Sequence, residues 1–368
     1  MPEVVELIQK DLSDPMLFGN PGSLHKMGRI AEQLWENSLN DISRILRVSA
    51  DELIVTSGGT ESINTSLTGY LHANPRNGKH IISTRAEHKA SLETLLRLEK
   101  SGYEVSYVDV DRSGQPDYSA IEDLIREDTA LITLTHVNNE TGAMLSPKRI
   151  ADARRRKNPR TAIHLDCVQT LGKCPIDLRE WGADMVSFSG HKIHCVKGVG
   201  LLYIKKGTRI EPLIVGGGQQ RGMRSGTESP WLIRAFAVAL TDAIDNMKES
   251  LPVIYECRRL LCDRIVGLDG IILSPTDASP YIVNASFGRF QSETLLHAME
   301  THDVFISTIS ACTSKKKKMS HVLSAMRVPD SVARNAVRFS FSRFTTTAEI
   351  SEVTRVLDRI TEEYSLMK

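Results

Sequence analysis

The sequence has few cysteines, and they are not spaced like metal ligands. Six cysteines in 368 residues are too few for a disulfide framework. No two of them form a Cys-x-x-Cys pair, so we predict no structural zinc and no other metal site. Most should be small buried apolar residues. The six are Cys167, Cys174, Cys195, Cys257, Cys262 and Cys312.

Long apolar segments and an excess of charge are also missing. No apolar run reaches the ~18 residues that a transmembrane helix needs, and the first residues lack the apolar core of a signal peptide. The formal net charge is +1, so no overall field favours nucleic acid or an anionic membrane. We therefore expect a cytoplasmic protein that binds neither membranes nor nucleic acid directly.

The sequence does have a regular alternation of short apolar segments and amphipathic ones. KASLETLLRLEKSG and PDYSAIEDLIREDT, which lie between apolar segments, show the i, i+3, i+4 spacing of helices. Such alternation predicts an α/β fold whose mostly parallel sheet is covered on both faces. The predicted strands are 52–57, 80–85, 103–110, 130–137, 162–168, 183–189 and 198–206.

The pattern changes after about Ser229. A long helical stretch, which we expect Pro252 to interrupt, comes first. Three predicted strands, IILS, YIVNASF and AVRFSFS, then alternate with helices. This pattern predicts a smaller α+β domain at the C-terminal end. We place the boundary inside the helical stretch, with a large domain at 1–245 and a small domain at 246–368.

Ligands of open parallel sheets bind at the carboxyl ends of the strands, so polar residues that follow strands are candidates. After the first strand, Gly58 and Gly59 allow close backbone approach, and Thr60 is positioned to cap the next helix. Such an N-terminus binds phosphate through free N–H groups. Plain capping explains the same residues, so this motif alone is weak.

Three further strands are followed by candidate residues. His88 comes at a helix start, and Asn139 lies in a turn; a surface histidine and turn chemistry explain them singly. Asp166 lies within an apolar run, where an unpaired carboxylate is expensive. The protonated ring nitrogen of pyridoxal phosphate (PLP) is a cationic partner for it. We expect Gln169, three residues later, to contact the ring hydroxyl.

Lys192 follows the sixth predicted strand in the sequence Ser-Gly-His-Lys. A buried lysine is costly unless it is paired, neutralised or covalently used. A Schiff base with the aldehyde of PLP uses the amine in this way, and the flanking Ser189 and His191 suit the phosphate. A phosphate cup, an imidazole, a ring-nitrogen carboxylate and a lysine, in this order at strand ends, together predict a PLP site.

These segments resemble a known family. HVNNETG, HLDCVQ, SFSGHK, GGGQQRGMRSGTES and ISACTS together are similar to the cysteine desulfurases of the class V aminotransferase group, of the type found in iron–sulfur cluster assembly. The resemblance extends from 18 to 346. It implies the PLP-dependent transferase fold type I and a homodimer with a shared active site. It also implies L-cysteine as substrate and a sulfur-acceptor protein, such as an iron–sulfur scaffold or a tRNA-thiolation enzyme.

The resemblance implies roles around the cofactor ring. Lys192 would hold PLP covalently and act as a base once it is freed. Asp166 would pair with the ring nitrogen, and His88 would stack on the ring. Gln169 would contact the ring oxygen, and Asn139 would lie beside it or near the substrate.

Further roles are implied for the phosphate and the substrate. Thr227 would reach the phosphate of the neighbouring subunit, Arg338 would bind the substrate carboxylate, and Cys312 would be the nucleophile. The remaining phosphate ligands would be Gly59, Thr60, Ser189 and His191.

Cys312 would attack the substrate sulfur as a thiolate and keep it as a persulfide, with alanine as the other product. Small polar residues around it indicate a surface loop. The lysines at 315–318 would lower its pKa and steer an acidic acceptor. A solvated loop explains the same four lysines.

The sequence departs from the family pattern in three places. The family opens with a strand and a loop of the Asp-Asn-Ala-Thr-Thr type, and this sequence starts beyond that point with MPEVVELIQKDL. Cys195-Val196 replaces the usual Gly-Pro after the lysine. Gln219 and Gln220 stand where His-Glu or Gln-Glu is usual. None of these changes removes a residue of the core chemistry.

Two other functions stay open. A selenocysteine lyase, or a carbon–sulfur lyase acting on cystine, would keep the cofactor and change the substrate; a cysteine in a loop favours persulfide chemistry. A weakly active homologue that serves as a binding partner or scaffold is the alternative of another class.

Overall fold

The computed structural model describes residues 1–308 and 319–366, with side chains described to residue 363. Cys312 and the lysines at 315–318 therefore lie outside the described residues. Within the described ranges, no helix is both long and apolar enough to cross a membrane.

Seven strands form one sheet in the order β1-β7-β6-β5-β4-β2-β3. Neighbouring strands are parallel except where β7 pairs with β1 and with β6. The mostly parallel sheet predicted from the sequence is confirmed, and each predicted strand is present. The strands are β1 Leu53–Thr56, β2 His80–Thr84, β3 Glu104–Val108, β4 Thr129–Thr135, β5 Ala162–Asp166, β6 Met185–Ser189 and β7 Gly200–Ile204.

Helices precede, connect and follow these strands. Gly59–Asn64, a π-helical turn at Thr65–Gly69 and Tyr70–Ala73 follow one another without a break. The helices up to the last strand of this sheet are α1 Pro2–Leu12, α2 Lys26–Leu46, α3 Gly59–Asn64, α4 Tyr70–Ala73, α5 Lys89–Lys100, α6 Tyr118–Leu124, α7 Pro147–Lys157 and α8 Leu178–Trp181. Those that follow are α9 Pro230–Asp245, α10 Met247–Gly267, α11 Ser292–Glu300, α12 His321–Ala325, α13 Asp330–Ala333 and α14 Thr347–Leu366.

Successive strand residues enter different apolar cores because side chains alternate along a strand. Ile54 and Leu202 belong to one core, with residues of α3 to α5. Val55 and Leu201 belong to another, with residues of α1, α2, α7 and α9. Helices therefore cover both faces of the sheet, which explains why the strands other than β3 are almost entirely buried.

The C-terminal third has a second sheet of four antiparallel strands in the order β10-β11-β9-β8. Three of these strands match the predicted ones. β10 was not predicted because two residues are too few to show a pattern. The strands are β8 Gly270–Ile272, β9 Ile282–Phe287, β10 Ser307–Thr308 and β11 Ala336–Ser340.

The long helical stretch breaks at Asn246, between α9 and α10. Pro252 lies inside α10, so the predicted interruption at Pro252 is wrong. The fixed φ of proline is helical, and a helix continues through it with one hydrogen bond fewer. The division into domains at 1–245 and 246–368 stays a prediction.

The free edge of β1 is covered by side chains. Gln220 Oε1 accepts a hydrogen bond from Val55 N at 2.7 Å, and Gln220 Nε2 donates to Val55 O at 2.8 Å. Arg221 donates to the carbonyl oxygens of Asp51 and Leu53. The side chains thus occupy backbone groups that an exposed edge strand would offer to another chain.

Candidate active site

A cavity of ≈ 370 Å³ lies at the carboxyl ends of β1, β2, β4, β5 and β6. These ends share one edge of the sheet because the five strands run in the same direction. Ten of the twelve predicted site residues line this cavity: Gly59, Thr60, His88, Asn139, Asp166, Gln169, Ser189, His191, Lys192 and Arg338. Their individual roles stay predictions.

Asp166 is the last residue of β5 and is 5% exposed. Val168 N donates a hydrogen bond to its Oδ1 at 3.0 Å. Burial raises the pKa of Asp166 to about 6, and no cation among the described residues acts on it. The buried carboxyl group of Asp166 is therefore suited to pair with a cationic group of a ligand.

Lys192 lies in the short 3₁₀ turn Gly190–Ile193 that directly follows β6. Burial lowers its pKa, and the neighbouring Arg338 lowers it further. A larger fraction of this amine is neutral than in an exposed lysine. A neutral amine is the form that attacks a carbonyl carbon or takes up a proton.

The turn after Lys192 accommodates the departure at Cys195-Val196. His194 takes the left-handed conformation with φ 64°, and Cys195 N donates to Gly190 O at 3.1 Å. The Cys195 side chain is buried in the apolar core. The backbone N–H of Cys195 is therefore paired, and its side chain packs where a glycine would leave space.

His88 is the N-cap residue of α5, as predicted from its position before an amphipathic segment. Its Nδ1 accepts a hydrogen bond from Ala90 N at 3.1 Å. Burial lowers the pKa of His88, and the charges of Lys192, His321 and Lys89 add to the effect. The neutral imidazole therefore carries its proton on Nε2, the nitrogen that is not used by the cap.

The glycine turn that was predicted to bind phosphate follows β1, but the residue that caps the next helix differs from the prediction. The N-cap of α3 is Gly58, with φ 153°, and Thr60 is the second helical residue, so the expectation that Thr60 caps the helix is wrong. Only glycine adopts the Gly58 conformation readily. A Cβ on Gly59 would lie 2.6 Å from Val168 Cγ2. Val168 therefore leaves no room for a side chain at position 59, and Gly59 presents only its backbone to the cavity.

Ser189 and His191 lie next to this glycine turn. Ser189 Oγ and His191 Nδ1 are hydrogen-bonded at 2.9 Å. β7 brings a glycine to the same place, because Gly200 is in register with both Ser189 and Thr56. A Cβ on Gly200 would lie 2.5 Å from the Gly58 Cα. The Ser189 hydroxyl, the His191 imidazole and the neighbouring glycine backbone are suited to bind an anion.

Arg338 enters the cavity from β11. Its Nη1 donates to Asn139 O at 2.8 Å, and its Nη2 donates to Ser307 Oγ at 3.3 Å. Its Nε is buried and has no hydrogen-bond partner among the described residues. The protein thus holds the guanidinium in place at the cavity wall, and among the described residues each Nη nitrogen donates only one of its two N–H groups. The second N–H of each Nη suits a carboxylate.

The two asparagines of the turn after β4 have different tasks. Asn138 Oδ1 accepts from Glu140 N and Thr141 N, and Asn138 Nδ2 donates to Ala86 O. Asn138 therefore does the turn chemistry that the sequence suggested for this region. Asn139, by contrast, lines the cavity.

Sequence reasoning missed Glu87. It is 3% exposed and accepts hydrogen bonds from Thr84 Oγ1 at 2.7 Å and from Thr135 Oγ1 at 2.6 Å. Burial and the charge of Asp166 together raise its pKa to about 7, although the hydrogen bonds from Thr135 and Thr84 oppose them. Thr135, which lines the cavity, is the last residue of β4 and links Glu87 to the cavity wall.

Two predicted site residues are not placed in the cavity. Thr227 is exposed and does not line it. Cys312 lies outside the described residues. Within 1–308 and 319–366, no three His, Cys, Asp or Glu side chains cluster as a metal site would require.

Comparison with known proteins agrees with this geometry. One curated relative is a NifS/IcsS protein homolog from Lactobacillus delbrueckii subsp. bulgaricus. The two sequences are 38% identical, and the match covers 95% of this chain and 91% of the relative. The cysteine desulfurase IscS of Dictyoglomus turgidum is 36% identical over 98% of this chain and 91% of its own.

Solved structures are similar over nearly the full length. A NifS-like protein superposes with a TM-score of 0.92 at 34% identity, covering 99% of this chain and 96% of its own. A structure of SspA in complex with cysteine superposes with a TM-score of 0.80 at 28% identity, covering 94% and 96%. The model of the family described as aminotransferase class-V matches residues 1–353. The chain belongs to the class-V aminotransferase family, and its fold is that of the NifS-like proteins.

Proposed function

We propose that the protein is a PLP-dependent cysteine desulfurase that converts L-cysteine into L-alanine and passes the sulfur to an acceptor protein. The observation that carries the proposal is that two unusual groups line the same cavity. One is Lys192, whose pKa is lowered, and the other is the buried carboxylate of Asp166, on which no cation of the described residues acts. Relatives named cysteine desulfurase support the reaction, and a similar structure that contains cysteine supports the substrate.

The donor set fits PLP. Asp166 would pair with the ring nitrogen, Lys192 would bind the aldehyde carbon, His88 would face the ring, and Gln169 would donate to the ring oxygen. The phosphate would be held by Gly59, Thr60, Ser189 and His191. When bound, the ring draws electron density from the substrate carbons, which weakens the carbon–sulfur bond.

The chain's own residues would bind the substrate and move its protons. Arg338, fixed by Asn139 and Ser307, would hold the substrate carboxylate. Lys192, whose pKa is lowered, would take up and return protons at the substrate carbons. His88 would donate a proton from Nε2, since Nδ1 is occupied by the α5 cap.

Cys312 would act as the sulfur acceptor within the enzyme. Its thiolate would attack the substrate sulfur, the carbon–sulfur bond would break, and the carbon would take up a proton to give alanine. The flanks of the segment that carries it support this role. Ser307 in β10 pairs with Arg338 in β11, and Ser320 Oγ donates to Glu140, next to Asn139. The described residues on both sides of the segment that carries Cys312 therefore lie close to residues of the cavity wall.

A homodimer with shared sites is part of the proposal. Thr227 is exposed and lies outside the cavity of its own chain, so it is free to serve the phosphate of a second copy. A cytoplasmic location suits the thiol chemistry, because a reducing compartment keeps thiols free. The sulfur acceptor would be an iron–sulfur scaffold or a tRNA-thiolation enzyme.

The decisive experiment measures alanine and sulfide released from L-cysteine by the PLP-loaded protein with a thiol reductant. Cys312→Ala should lower both rates by roughly a hundredfold or more, whereas Cys262→Ala, which removes a half-buried thiol from α10, should not. Undiminished sulfide release by Cys312→Ala would refute the persulfide route. A protein that stays colourless with added PLP would refute the enzyme and favour a binding role.

Shared sites are tested by mixing two impaired variants. Each site would contain Lys192 of one chain and Thr227 of the other. A hybrid dimer of one Lys192→Ala chain and one Thr227→Ala chain therefore has one site in which both groups are intact and one in which both are missing. Refolding the two together should restore activity above that of either alone. No gain on mixing would contradict the contribution of Thr227 across the interface.

A further inference from the structure

Lys173 is a half-buried lysine close to the cavity, in the turn that follows β5. Its Nζ donates a hydrogen bond to Gln169 Oε1 at 2.9 Å. The same Nζ lies 5.8 Å from the centroid of the Tyr281 ring, and Tyr281 is 1% exposed. Lys173 is therefore held between an aromatic face and a residue that lines the cavity.

No carboxylate compensates the charge of Lys173 among the groups that act on it within the described ranges. Burial and the positive charges of Lys192 and Arg338 together lower its pKa to about 8, against an opposing effect of Cys174. Burying a cation without an acidic partner is costly.

The contact with Gln169 shows what the lysine accomplishes. An ammonium group only donates hydrogen bonds, so the Gln169 atom that faces it must be the amide oxygen. The amide nitrogen is then the group left free, and Gln169 Nε2 has no partner among the described residues while its side chain lines the cavity. Without such a neighbour, the two orientations of a carboxamide differ little in energy.

We infer that Lys173 is a positioning residue that fixes the Gln169 carboxamide with its NH₂ group toward the cavity, so that this point of the wall only donates hydrogen bonds. The ligand atom that it fits is an anionic oxygen. The inference rests on the proposed function, in which the ring oxygen of PLP is that atom. The nearby cation also polarises the amide and strengthens its donation.

The test is a double-mutant cycle on the purified protein, read as the PLP dissociation constant and as the pH midpoint of the visible absorption change of the loaded protein. Lys173→Met should weaken PLP binding roughly tenfold and raise the midpoint. In a Gln169→Ala background the same substitution should change affinity less than about twofold. Lys197→Met, which removes an exposed lysine near His191, should leave both readouts near wild type.

An equal loss from Lys173→Met in both backgrounds would overturn the inference, because the lysine would then act by charge alone. A wild-type protein that neither binds PLP nor shows the visible band would overturn the proposed function as well. If Lys173→Met does not fold, a crystal structure of the loaded wild type decides. Gln169 Nε2 within hydrogen-bond distance of the ring oxygen supports the inference, and the amide oxygen in that place overturns it.

Discussion

His88 Nδ1 accepts a hydrogen bond from the backbone N–H of Ala90, so the imidazole that faces the cavity is also the cap of α5. Protonating Nδ1 would break the cap. Together with burial and nearby positive charges, the cap keeps the ring neutral and leaves Nε2 as its donor. One side chain therefore combines a structural and a chemical task.

The two tasks of His88 are separable by substitution. Asparagine is a good N-cap residue and alanine is a poor one, so the free energy of unfolding of His88→Ala should be about 1 kcal/mol lower than that of His88→Asn. Both variants should lose alanine formation from cysteine, because neither has the ring. Urea unfolding and a turnover assay measure the two effects. Equal stabilities would show that the cap contributes nothing.

Glu87 should make stability depend on pH. Its pKa is about 7 in the folded protein against an ordinary 4.5, so between these values the folded state binds more protons and stability falls as pH rises. Glu87→Gln stays neutral, and its advantage over wild type should grow by on the order of 3 kcal/mol from pH 4.5 to about 8. Unfolding of the cofactor-free proteins across this range measures it.

Glu93→Gln, which removes an exposed carboxyl group from α5, controls for the lost charge. A Glu87→Gln advantage that does not vary with pH would mean that the buried carboxyl group is ionised throughout the range.

The cup at Gly59 should not tolerate a side chain. A Cβ there would lie 2.6 Å from Val168 Cγ2, so Gly59→Ala should lose about 1–3 kcal/mol of stability and bind PLP more weakly. Gly288→Ala is the matched control, because Gly288 has open space around its Cα. Thermal unfolding and PLP titration measure both properties. Wild-type affinity in Gly59→Ala would show that the cup does not contact the phosphate.

The bonds between Gln220 and the edge of β1 should stabilise the sheet. Gln220→Glu replaces the Nε2 donor with an oxygen that faces Val55 O, so it should cost about 1–3 kcal/mol. Gln220→Ala, which leaves Val55 to water, should cost less. Chemical denaturation ranks the variants, and the opposite order would mean that Val55 O is not paired through this side chain.

The sheet was predictable because its strands are short, mostly apolar segments that alternate with amphipathic helices. The ends of individual helices and the shortest strand were not predictable. Thr60 is a better cap by residue type than Gly58, but the strand-to-helix turn needs a φ of 153° at position 58, which favours glycine. β10 exists only through its pairing with β11, a relationship between distant segments that local patterns do not show.

The site was predictable where residues follow strands, since the topology collects those residues at one edge. The sequence did not indicate Lys173 or Glu87, for different reasons. Lys173 belongs to a turn, and its importance comes from its distance to Gln169. Glu87 stands next to His88 and looks like an ordinary polar residue until its burial is known.

Two basic side chains, Lys192 and Arg338, and one acidic side chain, Asp166, are among the described residues that line the cavity, and Lys173 lies close behind Gln169. In the laboratory, this imbalance makes inorganic anions competitors of the cofactor. Phosphate or sulfate in a purification buffer would occupy the same donors and slow reconstitution, and a primary-amine buffer would react with the PLP aldehyde. A zwitterionic buffer without a primary amine is therefore the better medium for loading the protein.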